Sequence, residues 1–338
     1  MPDPLTDVRQ ISHIAYGFFL SKALFSALNI ELFGHLADGP ADVDTLHRRT
    51  GVGENRLWTL ISALLSVGLL SREGDKFCNS PAAQRYLVPD APAYFGDYYR
   101  FQIDRQIYPN MKSLDAGLAG NEDGLAHQSM SDWLAQDEDA EDFSRAQHAG
   151  SMGPAMMMAD SIDLSGMKTL LDVAGGTGAY SMAFCGKYPE LNACIIDFPS
   201  VVKTAEGFVN HAGMQDRISF INGDALQTAW PAGQDAVLMS YLLSAVGGGD
   251  ITPLLQQAWH ALKPGGKLIL HDFVLEDDRS GPTAAAGFFL SYLTLRTDPV
   301  SFTAAELKDW TEAEGFTDVE SAVMIPEITK IVTATKPA

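Results

Sequence analysis

Apolar positions recur at helical spacing from the start of the chain. Ile11, Ile14, Phe18, Phe19, Ala23 and Phe25 predict one long helix over Val8 to Leu28. A short helix at Leu32–Leu36 is closed by Asp38-Gly39-Pro40. Another spans Val43–Arg49 and stops at Thr50-Gly51. A third runs from Glu54 to Val67 and ends at Gly68. Leu69–Phe77 then reads as a hairpin with Gly74-Asp75 in its turn. Helix, helix, helix, hairpin is a winged-helix order. Residues 94–160 read as a second helical stretch, dense in aromatics (Tyr94, Phe95, Tyr98, Tyr99, Phe101, Tyr108) with Arg100 and Arg105 among them. The acidic run Asp137–Asp142 is placed to open a helix, where negative charge is favourable. Met152, Met156, Met157 and Met158 fall at helical spacing and read as flexible packing.

The rhythm changes at Leu170. Apolar runs at Thr169–Val173, Cys194–Asp197, Ile218–Ile221, Ala236–Tyr241 and Leu268–Phe273 are mostly separated by helical patterns. That alternation predicts a parallel, doubly wound α/β sheet. Val319–Met324 and Ile328–Ala334 add a closing hairpin bent at Pro326-Glu327. The chain divides on this pattern into 1–95, a helical linker over 96–160, and an α/β domain over 161–338. A length of 338 residues agrees with about two domains.

Charge narrows the function. With 23 basic and 43 acidic residues the net charge is −20, a field that repels phosphate backbones. The third helix of the winged-helix region offers only Arg56 to DNA. Its body (Leu57, Trp58, Leu60, Ile61, Leu64, Leu65) reads as core or a subunit interface. Nucleic acid is therefore not expected as a partner. Cys78, Cys185 and Cys194 are too few and too scattered for a disulfide framework or a zinc site, so no metal is expected. The start of the chain lacks a basic segment followed by an apolar run, and Leu57–Leu70 is short and broken by polar residues. The expectation is a cytoplasmic protein with no membrane partner.

The chemistry-bearing motif is Asp172-Val173-Ala174-Gly175-Gly176-Thr177-Gly178, which ends the first parallel strand and opens a helix. Its glycines permit a sharp turn and close approach of a ligand. A dinucleotide fold wants a third glycine or alanine where Ser181 stands, which disfavours hydride transfer and phosphate-bearing cofactors. Asp197 closes the second strand and is placed to accept two ribose hydroxyls. Asp224 follows the third strand and could accept from an adenine amine. Each acid could alternatively be a turn cap. Three at successive strand ends, on the edge where such folds bind ligands, point to a site.

Together with Asp197-Phe198-Pro199, Gly223-Asp224 and Leu262-Lys263-Pro264-Gly265-Gly266, this motif resembles the S-adenosylmethionine (SAM) dependent small-molecule methyltransferases of the caffeate and polyketide O-methyltransferase class. The resemblance implies a Rossmann-like SAM domain behind a winged-helix dimerisation domain, hence an intertwined homodimer acting on a small molecule. It implies a SAM site built from Ser151, Asp172, Gly175, Gly176, Gly178, Asp197, Phe198, Asp224, Ala225 and Ser240, with Ser151 reaching the cofactor carboxylate.

One departure stands out. O-methylating relatives carry a histidine base just after the fourth strand; Ser244 occupies that place here. Of the two acids that brace the histidine, one is lost at Ser301-Phe302-Thr303 and the other is matched by Asp272. A hydroxyl acceptor must lose a proton, and a base is worth roughly 10²–10⁴ in rate. Either the acceptor has no proton to lose, or the base has moved to His271, His148 or Asp272, or methyl transfer has been abandoned. The first account is the expectation. Within the class, the chain resembles the branch that methylates the thioether sulfur of 4-methylthio-2-hydroxybutyrate on the way to dimethylsulfoniopropionate (DMSP). On that reading Arg100 and Arg105 hold the substrate carboxylate. Tyr108, Gln147, His148 and Tyr292 contact the rest of the acceptor. A phenolic or polyketide O-acceptor with a relocated base is the alternative.

Overall fold

A computed structural model describes residues 3–126 and 137–338. Positions 127–136 of the expected helical linker lie outside the described residues. The chain forms two compact units, one reaching to Tyr108 and one running from Pro109 to the end, so the stretch 96–160 is shared between them.

In the first unit, α1 (Val8–Asn29) starts at a capping box in which Asp7 and Gln10 exchange hydrogen bonds with each other's backbone. It is followed by α2 (Leu32–His35), α3 (Val43–Thr50), α4 (Glu54–Ser66), the hairpin β1 (Leu70–Glu73) with β2 (Lys76–Asn79), and α5 (Pro81–Tyr86). Leu57, Ile61 and Leu64 of α4 are buried against Leu28, Phe33, Leu46 and Phe77. Each such side chain contributes about 1.5–3 kcal/mol on burial. Of the α4 stripe expected as core or interface, Leu57, Ile61 and Leu64 are this unit's own core, Leu60 and Leu65 are half-buried, and Trp58 is exposed. The apolar surface left open lies on α1 instead, where Ile11, Ile14, Phe18 and Phe19 are exposed. By length and composition alone α1 could cross a membrane. Residues Tyr98–Ile107 form a π-helix, which periodicity did not foresee.

The second unit opens with short helical turns and a helix at Leu114–Leu118, then α6 (Asp137–Ser161). Met158 of α6 is buried, whereas Met156 and Met157 are exposed, so only part of the methionine cluster packs as expected. The seven-stranded sheet has the order β5-β4-β3-β6-β7-β9-β8. Its strands are β3 (Thr169–Val173), β4 (Asn192–Asp197), β5 (Ile218–Asn222), β6 (Gln234–Ser240), β7 (Leu262–Phe273), β8 (Thr317–Ile325) and β9 (Thr329–Thr335). The first five are parallel, and β9 joins antiparallel to β7 and β8. Helices α7 (Ala179–Lys187), α8 (Pro199–His211), α9 (Gly248–Ala261), α10 (Thr283–Tyr292) and α11 (Ala304–Ala313) complete the unit. The strand order reverses between β3 and β6, which places a ligand crevice at their carboxyl ends. The Lys263–Gly266 turn, expected to precede the fifth strand, lies inside β7. There the pairing with β6 shifts register between Gln234 and Ala236, and Gly265 adopts φ +78°.

The Leu114–Leu118 helix packs backbone to backbone on the end of α10. A Cβ at Gly117 would overlap the Leu293 carbonyl oxygen. Gly117→Ala should therefore lower the unfolding free energy of this unit by about 1–3 kcal/mol, read by urea titration.

Candidate active site

The site is built from strand ends. β3 ends at Asp172-Val173, and Ala174 then takes a left-handed φ of +54° with its amide on the Ile196 carbonyl. Gly176 and Gly178 continue at φ +57° and +77°. A side chain at Gly178 would strike Ile195 Cδ1 at 2.8 Å, and one at Gly175 would meet the Asp172 carboxyl group at 2.7 Å. Conformation demands glycine at 176, space demands it at 175, and both demand it at 178.

Asp172 is fully buried. Ser181 Oγ donates to its Oδ2 at 2.7 Å, while Oδ1 has no partner. Ser181 is a site residue whose role the sequence reading missed; its signal is a hydroxyl nine residues after the acid, on the first turns of α7. Asp197 accepts from the Gly176 amide and the Phe198 amide, both at 2.8 Å. Burial lifts each carboxyl to about 6. No lysine or arginine among the described residues forms an ion pair with either. Asp224 accepts from the Leu226 amide and Gln227 Nε2, so it caps the turn after β5; Ala225 beside it is buried.

α6 runs beside the glycine turn. His148 Nδ1 lies 3.0 Å from Thr177 Oγ1, and its ring stacks on Phe208 at 3.9 Å. Burial lowers it to about 4. Ser151, one turn on, is nearly buried, and Gln147 is half-buried. His271 on β7 is sealed: Nε2 is 2.9 Å from Thr329 Oγ1, and Nδ1 is 2.9 Å from Ser240 Oγ and 3.2 Å from Tyr180 Oη. Burial drives it down to about 3.

Ser244 is fully buried in the loop after β6. Its amide donates to Asp272 Oδ2 at 3.0 Å, and its Oγ donates to the Tyr292 hydroxyl at 3.3 Å. Asp272, also held by the Phe273 amide at 2.8 Å, is raised to about 7, chiefly by burial. Three residues singled out separately, Ser244, Asp272 and Tyr292, are thus joined.

Arg100, Arg105 and Tyr108 belong to the first unit. Both arginines of the π-helix lie against one ring, with guanidinium groups 5.3 and 4.7 Å from the Phe101 centroid. Arg100 Nε also donates to Asn29 Oδ1 at 3.2 Å. Asn29 in turn donates to the buried Asp104, which pairs with Lys22. Tyr108 packs edge-on to Phe25 at 6.0 Å.

These features define the class I SAM methyltransferase fold. An O-methyltransferase domain profile matches residues 130–317, and an O-methyltransferase dimerisation domain profile matches residues 12–89. The chain belongs to this family of SAM-dependent methyltransferases. It is 29% identical to 3-hydroxy-5-methyl-1-naphthoate 3-O-methyltransferase of Streptomyces sahachiroi, over 92% of this chain and 90% of that one. It is 27% identical to an N,N-dimethyltransferase of Streptomyces rimosus, over 93% and 92% respectively. The crystal structure of human N-acetylserotonin methyltransferase in complex with SAM has the same fold, with a TM-score of 0.87, 23% identity and full coverage of both chains.

The residues fit SAM. Asp172 Oδ1 is an orphaned buried acceptor. Asp172 and Asp197 have no cationic partner among the described residues, as suits a cationic ligand rich in hydroxyl donors. SAM supplies a methyl group on a positively charged sulfur when bound. Asp197 holds the glycine turn through Gly176, and Ser181 fixes Asp172.

The raised carboxyls set a pH dependence. A folded value near 6 against an ordinary 3.8 means that these groups favour the apo fold below about 4, and that this contribution is lost as pH rises through about 6. SAM held at these two carboxyl groups would need their ionised forms. Its affinity, measured by calorimetry, should therefore weaken as pH falls through about 6. Asp197→Asn should bind more weakly at pH 8 and flatten that profile.

Proposed function

We propose that this methyltransferase alkylates the thioether sulfur of a small carboxylic acid, with 4-methylthio-2-hydroxybutyrate as acceptor in DMSP synthesis, by in-line displacement without a general base. The observation that carries the reading is Ser244, bound to Asp272 and Tyr292 where class relatives hold a histidine. Of the three expected substitutes, Asp272, raised to about 7, is taken up by the Ser244 and Phe273 amides, and neither histidine supplies a strong base. His271 is enclosed by Thr329, Ser240 and Tyr180, and His148, at about 4, is far too weak for a phenol that titrates near ~10. A thioether needs no base, only alignment and exclusion of water. Within the first unit, Arg100 and Arg105 can each donate twice to a carboxylate, and Tyr108 is a further candidate for the acceptor. Within the second unit, Gln147 and Tyr292 are assigned to the acceptor, and Ser151, Phe198, Asp224, Ala225 and Ser240 to SAM.

A second reading, transfer to a phenolic or polyketide hydroxyl, is favoured by the naphthoate-methylating relative. Methyl-labelled SAM offered with thioether acids, amines and phenols, and read by mass spectrometry, separates the two. Label is expected on the thioether acid, and His148→Ala should keep turnover within about tenfold at saturating SAM, against the 10²–10⁴ that a lost base costs. A labelled phenol with an unlabelled thioether would replace the sulfur reading with the oxygen one.

The exposed apolar face of α1, together with the dimerisation-domain match, supports a homodimer in which a second copy covers Ile14 and Phe18. Ile14→Glu combined with Phe18→Glu should shift the mass measured by light scattering from dimer to monomer. The three cysteines are free thiols, which suits a reducing compartment such as the cytoplasm.

A further inference from the structure

Asp272 is 2% exposed, yet no lysine or arginine among the described residues pairs with it. Among the described residues its carboxyl group is met by neutral donors, the amides of Leu243, Ser244 and Phe273. A carboxylate taken this far out of water ordinarily has a cation beside it.

Three half-buried aromatic rings gather at the same strand ends. Tyr241, directly after β6, is held at φ +57° and packs on Phe273 at 5.0 Å. Phe288 stacks on Phe273 at 4.1 Å and 10°. Tyr292 lies four residues further along α10, on the same helical face, and its hydroxyl is tied to Ser244. Burial first, and the Asp272 charge after it, hold the Tyr292 phenol above its ordinary value. Aromatic faces are electronegative and attract onium ions, the more so where water is excluded.

We infer that Asp272, Tyr241, Phe288 and Tyr292 form a site for an onium centre, the sulfonium that methyl transfer creates on the acceptor. This assignment rests on the sulfur-acceptor reading above. In that transfer the acceptor sulfur's lone pair forms the new S–C bond, the departing thioether keeps the electrons of the broken one, and the positive charge arrives on the acceptor. No proton moves. The acceptor is neutral at the sulfur before transfer and cationic after it, so rings and carboxylate favour the charged stage over the ground state.

Binding of trimethylsulfonium and of neutral tert-butanol to the protein loaded with S-adenosylhomocysteine, followed by ligand-observed NMR, tests the site without turnover. Trimethylsulfonium should bind at least tenfold more tightly. Phe288→Leu, which keeps an apolar side chain but removes the π face, and Asp272→Asn should each cut that preference at least threefold while leaving S-adenosylhomocysteine affinity unchanged. Equal affinity for the two probes, or a preference that survives Phe288→Leu, would overturn the assignment. A labelled phenol in the acceptor screen alongside an intact onium preference would remove the sulfur reading and keep the site. A labelled thioether with no preference would do the reverse.

Discussion

Everything at the carboxyl edge of the sheet follows from keeping carboxylates out of water without giving them a lysine or arginine. Asp172, Asp197 and Asp272 stand at the ends of three strands of one sheet, and among the described residues each is met by neutral donors alone. Such groups are costly in isolation. The sheet supplies what offsets the cost, because strand ends leave amides pointing outwards, and Gly176, Phe198, Ser244 and Phe273 deliver theirs to these oxygens. The same bonds lock the loops: Gly176 on Asp197 ties the turn after β3 to the end of β4. The negative field is therefore part of the architecture, and a cationic cofactor completes it.

Much of this was readable from residue order. Alternating apolar runs marked all five parallel strands, because a strand buried on both faces has little freedom in composition. The closing hairpin was marked by Pro326-Glu327. The acids and glycines were legible because few residue types permit tight turns next to a ligand. Less visible was whatever depends on partners distant in sequence. Ser181 reads as a failed glycine until its bond to Asp172 is seen. Tyr292 and Ser244 are 48 residues apart, and no local pattern links them.

The α4 stripe shows a different limit. Periodicity says that a face is apolar but not what covers it. Leu57, Ile61 and Leu64 turned inward, whereas α1, equally apolar in sequence, leaves Phe18 and Phe19 in the open. Likewise the Pro264-Gly265-Gly266 sequence announces a turn, but only pairing with β6 and β9 decides that the turn becomes a bulge within a continuous strand.

The π-helix over Tyr98–Ile107 has one more consequence. Its hydrogen bonds run from residue i to i+5, as the Tyr108 amide does to the Ile103 carbonyl. Residues 100 and 105 therefore stand in line. Excising a single residue between them would return the segment to ordinary helical winding with a spacing of four, still aligned, yet every side chain beyond the cut would rotate by about a quarter turn relative to α1. Length, more than composition, is the heritable variable here: an insertion or deletion too small to change the fold is enough to re-aim Asp104 and Tyr108 together.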